Sequence, residues 1–368
     1  MRLQLALLLV ASVATQAFGD GELEARAVYY KERATRVEQP MLDGMFDAGE
    51  HGVVNAHFLV DSITSASASS GAANAQPFTE RRYELGAGYL YDLGRLRIGG
   101  DFKYSTESDY DSLYLGARFE LDLAQKNAQL AAGAGVSLDN VSTTAAGGFA
   151  GGALQCDPND TASVGDTCGL TTYSGFASFS QILSRNWLAA VTYDVALMSG
   201  YQSNPYRVVI IDAKTEAERH PDRRLRQSFA ASMRYYVDAT QTTFIGAYRY
   251  YRDDWHVYAK TPEVRAIQQV GTWADASLRY RYYTQSKAFF YEDRYLDDSF
   301  QYVSDDPKLS AFTGHTIEAK LGVYGETFGL TGTWGATRFE GLLEYEVQNN
   351  RFGNAVVAHV GLTIPLRY

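Results

Sequence analysis

The stretch Leu96-Arg97-Ile98-Gly99-Gly100-Asp101-Phe102-Lys103-Tyr104 indicates the fold, because its residues alternate between two kinds of environment. Its even-numbered positions carry no charge, whereas Arg97, Asp101 and Lys103 place both signs of charge on odd-numbered positions. A period of two residues is that of a β-strand with a different environment on each face. The next segment repeats the pattern, with an uncharged set against a charged set: Leu113, Leu115, Ala117, Phe119 and Leu121 against Arg118, Glu120 and Asp122.

Outward from this stretch, about 16 segments of roughly ten to fourteen residues show the same alternation, and a count of about 14 to 18 is compatible with it. Long gaps follow only the third, seventh, ninth and thirteenth segments, near residues 64–79, 140–170, 199–224 and 285–311. Even-numbered segments are followed only by short turns such as Asp92-Leu93-Gly94. Together these features predict an all-β fold, a single antiparallel transmembrane β-barrel with short periplasmic turns and long extracellular loops. A soluble β-sandwich or propeller is the weaker alternative, since soluble strands average about 5 to 6 residues.

Prolines mark the segments where the strand pattern is weakest. Pro40 interrupts the second segment, Arg36 to Phe46, and the first, Leu23 to Lys31, carries charges on both faces. Pro262 falls within the segment from residue 255 to 268, where we expect a bulge or a position at the loop rim.

The N-terminus has the pattern of a secretory signal peptide. Arg2 gives a basic end, residues 3–13 are an apolar run, and Ala17-Phe18-Gly19 forms a cleavage site before Asp20. We therefore expect residues 1–19 to be removed and residues 20–368 to form one barrel domain. After residue 19 the sequence contains no run of about 18 apolar residues of the kind that a spanning helix requires. Export without a helical anchor fits a barrel of the bacterial outer membrane.

The C-terminus and the net charge indicate the partners of such a barrel. The last strand carries apolar residues at Leu362, Ile364 and Leu366 and ends on Tyr368, which resembles the signal by which the outer-membrane assembly machinery recognises barrels. Pro365 departs from this pattern and removes one hydrogen-bond donor. The net charge of -10 argues against a nucleic-acid partner and suits outer-membrane lipid and lipopolysaccharide bridged by divalent cations.

Charged residues in the later segments fall on the face expected to line the lumen. Seven residues are candidates for the lumen or a constriction within it: Arg249, Asp275, Arg279, Arg281, Tyr283, Glu318 and Lys320. One interpretation is an interior network whose charges satisfy one another. The other is a polar path for a solute, with arginine and tyrosine forming a constriction for an anionic or aromatic molecule. Neighbouring tyrosines are also typical of an aromatic girdle at the membrane interface.

The two cysteines, Cys156 and Cys168, lie in one long loop and predict a disulfide in an exported chain. Asp157, Asp160 and Asp166 share that loop, but their spacing matches no calcium-binding motif, so a solvated loop is the preferred interpretation. No metal site and no cofactor are expected.

The six histidines occur in no recognised catalytic motif. Asp253, Asp254 and His256 cluster near one expected rim, where polar residues are favoured without catalysis. No catalytic residues are nominated, and the chain is not expected to be an enzyme.

Several segments resemble an uncharacterised bacterial family, domain of unknown function 3570. The resemblance runs from about Glu22 to Tyr368, and it is carried by five segments: residues 29–33, 59–67, 108–113, 248–255 (YRYYRDDW) and 280–286 (YRYYTQS). It implies an outer-membrane barrel without an established activity. It also implies a neighbourhood of periplasmic flavin-attachment and thioredoxin-like proteins, and so a role beside redox or metal handling.

Three functions are compatible with these observations. A channel or transporter for small polar solutes is favoured by the charged alternating faces. A structural or scaffold barrel that docks a periplasmic or extracellular partner is the second, and an outer-membrane enzyme the third.

Overall fold

The computed structural model describes residues 20–33, 35–65, 78–142, 154–160, 162–205, 207–212 and 214–366. The expected signal peptide and the terminal Tyr368 therefore lie outside the described residues. The strands within them are β1 (Gly21–Lys31), β2 (Thr35–Ala48), β3 (Gly52–Ser65), β4 (Phe78–Asp92), β5 (Leu96–Thr106), β6 (Tyr110–Leu123), β7 (Ala128–Ser142), β8 (Leu154–Gln155), β9 (Val164–Gly165), β10 (Thr167–Ser184), β11 (Trp187–Gly200), β12 (Val208–Ile211), β13 (Lys214–Ala217), β14 (Arg223–Val237), β15 (Thr242–Asp253), β16 (Tyr258–Val270), β17 (Ala274–Gln285), β18 (Phe312–Tyr324), β19 (Arg338–Gln348) and β20 (Ala355–Leu366).

Sixteen of these strands form one closed antiparallel barrel, in the order β1-β2-β3-β4-β5-β6-β7-β10-β11-β14-β15-β16-β17-β18-β19-β20. The short pairs β8-β9 and β12-β13 are separate two-stranded sheets in the long connections. Among the described residues, helical structure is limited to the 3-10 turns Ala124–Lys126, Pro307–Leu309 and Gly325–Phe328 and the α-helix Gly332–Ala336. No helix among the described residues is long and apolar enough to cross a bilayer.

The alternation in sequence corresponds to the two faces of the barrel wall. Leu115, Leu278 and Ile317 point outward and keep 49%, 59% and 56% of their surface exposed, as expected of side chains that meet lipid. Their neighbours along each strand point inward, where Arg279 and Glu318 lie opposite each other in the β17–β18 register. The predicted all-β barrel, its strand number and the orientation of its faces are therefore confirmed.

The barrel closes between its first and last strands. In the β1–β20 ladder Gly21 is opposite Leu366 and Lys31 is opposite Val356, without interruption. The residues of the expected insertion signal that are described, Leu362, Ile364 and Leu366, share the outward face of β20 with the exposed Val360. Their role in insertion stays a prediction. Pro365 lies opposite Glu22 and beyond the last β19–β20 pair, so it removes no donor from that second ladder.

The long connections lie on one rim, the long-loop rim, as predicted. They follow β3, β7, β11 and β17, which are the third, seventh, ninth and thirteenth strands around the barrel. One connection on the opposite, short-turn rim departs from the pattern. Between β18 and β19 the chain forms the turn Gly325–Phe328 and the helix Gly332–Ala336. The expectation that this rim carries only short turns is wrong here, because Gly329 and Gly332, at φ 74° and 61°, let the chain reverse twice.

The two prolines inside strands interrupt hydrogen-bond ladders without shifting their register. Pro40 pairs with Ala27 of β1, but the β2–β3 ladder skips from Glu38 to Met41. Pro262 pairs with Tyr248 of β15, while the β16–β17 ladder skips from Lys260 to Glu263 in the same register. Proline lacks the N–H that the ladder uses, so one side of each strand loses its pairs. The bulge or rim position expected for Pro262 is not observed.

Candidate functional site

Four of the seven predicted lumen residues belong to a network of paired charges on the inner face of β16 to β19. The Arg279 guanidinium lies 2.5 Å from a Glu318 oxygen and also pairs with Glu344. Nearer the short-turn rim, Lys320 lies 2.7 Å from Glu340, and Asp275 lies 3.0 Å from Arg338. Here the interpretation of an interior network fits what is observed. We call this part of the lumen the paired wall.

A second set of paired charges lines β1 to β5, which the sequence did not single out. Arg26 lies 2.6 Å from Asp43, and the same carboxylate lies 2.5 Å from Nδ1 of His57. Arg82 lies 2.5 Å from the buried Asp61. The available signal was the spacing of opposite charges at alternate positions on consecutive strands. Charges on both faces of the first two strands obscured it.

Three arginines nearer the long-loop rim differ, because within the described residues none has a carboxylate oxygen within 4.0 Å. Arg249 instead donates from Nε to the Ser228 hydroxyl at 3.2 Å. Arg281 donates to the Thr316 hydroxyl at 3.1 Å. Arg226, which sequence reasoning did not select, donates from Nε to the Tyr251 hydroxyl at 3.1 Å. Each guanidinium therefore has a neutral partner and keeps several unused N–H groups. We call Arg226, Arg249 and Arg281 the free arginines.

A fourth arginine at this level is fully engaged. Arg224 donates to the Asp253 carboxylate at 2.6 and 2.9 Å, and its guanidinium lies 4.1 Å from the centre of the Trp255 ring. The Tyr251 hydroxyl also donates to Asp253, at 2.7 Å. Asp253 is therefore occupied by Arg224 and Tyr251 and leaves Arg226 and Arg249 without an acidic partner.

Arg224, Arg226 and Arg249 line a cavity of about 890 Å³ at the long-loop end of the lumen, whereas Arg281 is not among its lining residues. We call it the vestibule. One side carries the basic and aromatic residues Arg226, Arg249, Tyr251 and Tyr283. Another carries carboxylates whose oxygens lie within 4.8 Å of one another, from Glu80, Glu107 and Asp109. Burial and these neighbouring carboxylates raise the pKa of Glu107, in the β5–β6 turn, to about 7. The vestibule thus has walls of opposite charge.

Two further cavities continue from the vestibule along the lumen. One of about 350 Å³ shares the lining residues Arg226, Arg249 and Tyr251 with the vestibule. Another of about 510 Å³ shares Asp101 and Tyr114 with the second cavity and reaches Glu22 near the short-turn rim. Arg226, Arg249 and Tyr251 therefore lie where the vestibule meets the interior of the barrel.

Above the vestibule, the connections β11–β14 and β17–β18 pack against each other. We call them the outer cap. Val209, Ile211, Tyr295 and Val303 form a buried apolar cluster between them. The backbones of Arg219 and Val303 exchange hydrogen bonds of 3.0 and 2.9 Å across the contact. The outer cap is thus a folded unit, in which residues distant in sequence pair as strands do.

A buried polar contact joins the two halves of the outer cap. Glu218 accepts hydrogen bonds from the Ser304 hydroxyl at 2.8 Å and from the Asp305 N–H at 3.0 Å. Its other oxygen lies 3.4 Å from Nε2 of His220. Burial opposes ionisation of Glu218, but hydrogen bonding to His220 and the charges of His220 and Arg207 outweigh it and lower its pKa. The carboxylate therefore stays ionised inside the cap.

The predicted disulfide is confirmed. Cys156 and Cys168 are bonded, with 5.2 Å between their Cα atoms. The two cysteines do not lie in one loop as expected, because Cys168 belongs to β10 and lies opposite Val141 of β7, so the bond joins the loop to the end of a barrel strand. Cys168 packs with Val141, Leu154 and Tyr201 in a buried cluster. The nearby carboxylates stabilise turns in this loop. Asp157 accepts from the Asn159 N–H at 2.8 Å, and Asp160 accepts from the Ala162 N–H at 2.9 Å.

The cluster Asp253, Asp254 and His256 also has a structural role, in the β15–β16 turn. Asp253 accepts from the Val257 N–H at 2.9 Å, and Asp254 accepts from the Leu225 N–H at 3.0 Å. His256 adopts a positive φ of 66° at the turn itself. These contacts account for polar residues at this rim.

The closed antiparallel sheet, its uncharged outer face and its charged lumen define an outer-membrane β-barrel protein. Residues 72–351 match a family model described as "Protein of unknown function (DUF3570)", and the chain belongs to this family. The family resemblance is thereby confirmed. Of the segments that carry it, residues 108–113, 248–255 and 280–286 fall inside the match, whereas residues 29–33 and 59–67 precede it. No curated protein matches the chain.

Solved structures with a similar fold include other barrels. A bacterial polysaccharide outer membrane secretin is 8% identical with a TM-score of 0.53, and the match covers 95% of this chain and 98% of that one. CdiB from Acinetobacter baumannii is 5% identical with a TM-score of 0.53, covering 93% of this chain and 60% of that one. OprD from Pseudomonas aeruginosa is 8% identical with a TM-score of 0.46, covering 95% of this chain and 96% of that one. At these identities the likeness to the first two structures is one of fold alone.

Proposed function

We propose that this protein is a channel for small polar solutes in the bacterial outer membrane. The supporting observation is the series of three cavities that share lining residues from the vestibule to the short-turn rim. Charged and polar side chains line this series, which suits a hydrated solute better than an apolar one. A sixteen-strand barrel is wide enough to hold an aqueous path.

The test is single-channel recording with the purified mature protein in a planar bilayer. A channel gives discrete conductance steps, whereas protein that inserts without conductance contradicts the proposal. Insertion is checked on the same preparation by the mobility difference between heated and unheated samples on a gel. Liposome swelling with uncharged sugars of increasing size then gives the exclusion limit.

The proposal includes the route to the membrane. Residues 1–19 direct export and are cleaved before Asp20, and the assembly machinery recognises the last strand before the barrel enters outer-membrane lipid and lipopolysaccharide. N-terminal sequencing of the protein from outer membranes tests the cleavage. A mature chain that begins at Met1, or that is recovered in the soluble periplasm, contradicts this route.

A second candidate function is a scaffold that docks a periplasmic partner, with a link to redox or metal handling as the family resemblance implies. The connection between β18 and β19 favours it, because Phe328 and Trp334 on the short-turn rim keep 64% and 55% of their surface exposed. Photo-crosslinking from position 334 in intact cells tests it. Crosslinks to lipid alone contradict docking, and a single stoichiometric protein adduct supports it.

A further inference from the structure

The basic side of the vestibule contains a niche between two tyrosines. Strand β16 places Ala259 and Thr261 on the inner face, and both line the vestibule. Tyr251 lies opposite Ala259 in the β15–β16 register, and Tyr283 lies on the inner face of β17, on the other side of β16. Adjacent strands are about 4.8 Å apart, so the two tyrosines flank a strip of small side chains about two strand spacings wide.

Three arginines that have no carboxylate oxygen within 4.0 Å, among the described residues, lie around this niche. Arg249 lies opposite Thr261 in the β15–β16 register, and Arg226 bonds to the Tyr251 hydroxyl. Arg281 lies on the inner face of β17, two positions before Tyr283, and its Nε is buried without a hydrogen-bond partner. Asp253, the nearest carboxylate on β15, is engaged by Arg224 and Tyr251.

Such an arrangement is costly unless something compensates it. Like charges held together in a partly enclosed space repel one another, and an incoming anion removes that repulsion. Elsewhere in the lumen the protein supplies the anion itself, as Glu318 and Glu344 do for Arg279. At the niche no described carboxylate oxygen lies within 4.0 Å of Arg226 or Arg249, and Asp194 is linked to Arg249 only through the Ser228 hydroxyl, which donates to it at 2.9 Å. The carboxylates of Glu80 and Glu107 lie on another wall of the vestibule and repel an anion towards the arginines.

We propose that the niche binds a small organic carboxylate, with Arg249 and Arg226 contacting the carboxylate and Tyr251 and Tyr283 packing against the body of the molecule. Arg281 adds positive charge beside Tyr283. The planar fork of a guanidinium matches a carboxylate through two parallel hydrogen bonds. Tyrosine rings accommodate a flat organic group, and a cavity of about 890 Å³ has room for it. The proposal deepens, and rests on, the proposed channel function, because the niche lies at the entrance to the lumen.

The test uses benzoate and its uncharged isostere benzamide with the refolded mature protein in detergent micelles. Isothermal titration calorimetry measures binding without requiring conduction. We expect benzoate to bind in the millimolar range or tighter, and benzamide at least about tenfold more weakly, as loss of a charged hydrogen-bonding partner implies. Equal binding of the two compounds overturns the proposal. Binding of chloride or inorganic phosphate that matches benzoate overturns the carboxylate assignment.

Variants locate the site. Arg249→Gln is expected to weaken benzoate binding about tenfold or more, and Arg249→Lys by less, because lysine keeps the charge and loses the fork. Arg97→Gln is the matched control, since it removes the same charge from the lumen wall where Arg97 pairs with Glu120 and Asp122. Its affinity should stay within about twofold. Equal losses in the two glutamine variants, with heat-modifiable mobility showing both to be folded, contradict the assignment.

Conductance recorded on the same preparations separates this inference from the channel proposal. If the protein conducts but benzoate neither binds to it nor blocks it, the channel proposal is supported and the binding site is contradicted. The opposite outcome is a protein that shows no conductance but binds benzoate, with the binding lost in Arg249→Gln. It supports the binding site and contradicts the channel.

Discussion

The paired wall and the free arginines lie in the same lumen, but they differ in whether their positive charges contact carboxylates. Arg279 lies between Glu318 and Glu344, so its charge is compensated by the barrel itself. Arg249, on a neighbouring part of the same inner face, contacts only the hydroxyl of Ser228 among the described polar groups within hydrogen-bond distance. The difference indicates that charge in the paired wall links neighbouring strands, whereas the vestibule arginines have no direct carboxylate contact among the described residues, as the proposed carboxylate site requires.

The largest expected effect separates these two roles directly. Arg279→Gln leaves Glu344 without a cation and leaves Glu318 with only Arg265, at 3.7 Å. Removing one partner of a buried ion pair costs about 3 kcal/mol of folding free energy. Arg249→Gln removes the same charge but breaks only one hydrogen bond to a neutral group, so it should cost about 1 kcal/mol or less. Urea unfolding of the two variants in detergent, followed by tryptophan fluorescence, measures both. If the two variants lose the same free energy of unfolding, the proposed difference between the paired wall and the free arginines is contradicted.

The second prediction asks whether the loops above the vestibule are energetically separate from the barrel wall. The disulfide closes a loop with a sequence separation of 12 residues, for which the chain-entropy model gives about 3 kcal/mol. Replacing both Cys156 and Cys168 by serine should therefore expose this loop to proteolysis without lowering the temperature at which the barrel loses its heat-modifiable mobility. The two measurements are compared in the double variant and the wild type. A barrel that unfolds at a lower temperature in the double variant contradicts a purely local role for the disulfide.

The third prediction concerns the polar contact inside the outer cap. Because the pKa of Glu218 is lowered in the folded state, its contribution is fully present above the ordinary value of 4.5 and is lost as pH falls through the lowered pKa. The protection factors of the cap amides, which correct for the intrinsic exchange rate at each pH, should fall in this acidic range. Glu218→Gln should accelerate exchange at neutral pH by an amount equivalent to about 2 kcal/mol, because the Ser304 hydroxyl and the Asp305 N–H no longer donate to a charged group. Exchange that shows no difference between the variant and the wild type at pH 7 contradicts the assignment.

The smallest expected effect tests the acidic wall opposite the free arginines. The pKa of Glu107 is raised to about 7, so this carboxyl is largely neutral at pH 6 and largely charged at pH 8. Anion permeability relative to cation permeability, taken from reversal potentials in a salt gradient, should therefore fall modestly between these pH values. Glu107→Gln should remove that dependence, and a variant that retains it shows that another group titrates.

The barrel could be predicted from sequence because each strand shows its own alternation of apolar and polar residues. Alternation along each strand assigned residues such as Leu115 and Arg118 to opposite faces, and the position of the long gaps fixed which rim carries the loops. The lumen residues Arg249, Arg281 and Glu318 followed from the same period of two. A strand needs only its own residues to reveal which side meets lipid.

The fold of the outer cap and the contacts that each lumen arginine makes could not be predicted in this way. Arg219 pairs with Val303 through the backbone, a contact that no periodicity in either segment reveals. Register alone does not decide which arginine is compensated. Arg226 lies opposite Asp253 in the β14–β15 register, yet Asp253 binds Arg224 and Arg226 contacts the Tyr251 hydroxyl. The helix Gly332–Ala336 was missed because a helix of five residues has too few positions to show a helical period.

The seam between β1 and β20 makes the barrel's assembly depend on the order of synthesis. β1 pairs with β2 on one side, but Gly21 pairs with Leu366 on the other, so β1 gains its second neighbour only when β20 is in place. Until then both terminal strands present unpaired N–H and C=O groups, which attract other chains. A partly made or truncated polypeptide therefore cannot protect its own edges, and the cell has to shield this chain throughout export until its final residues are in place.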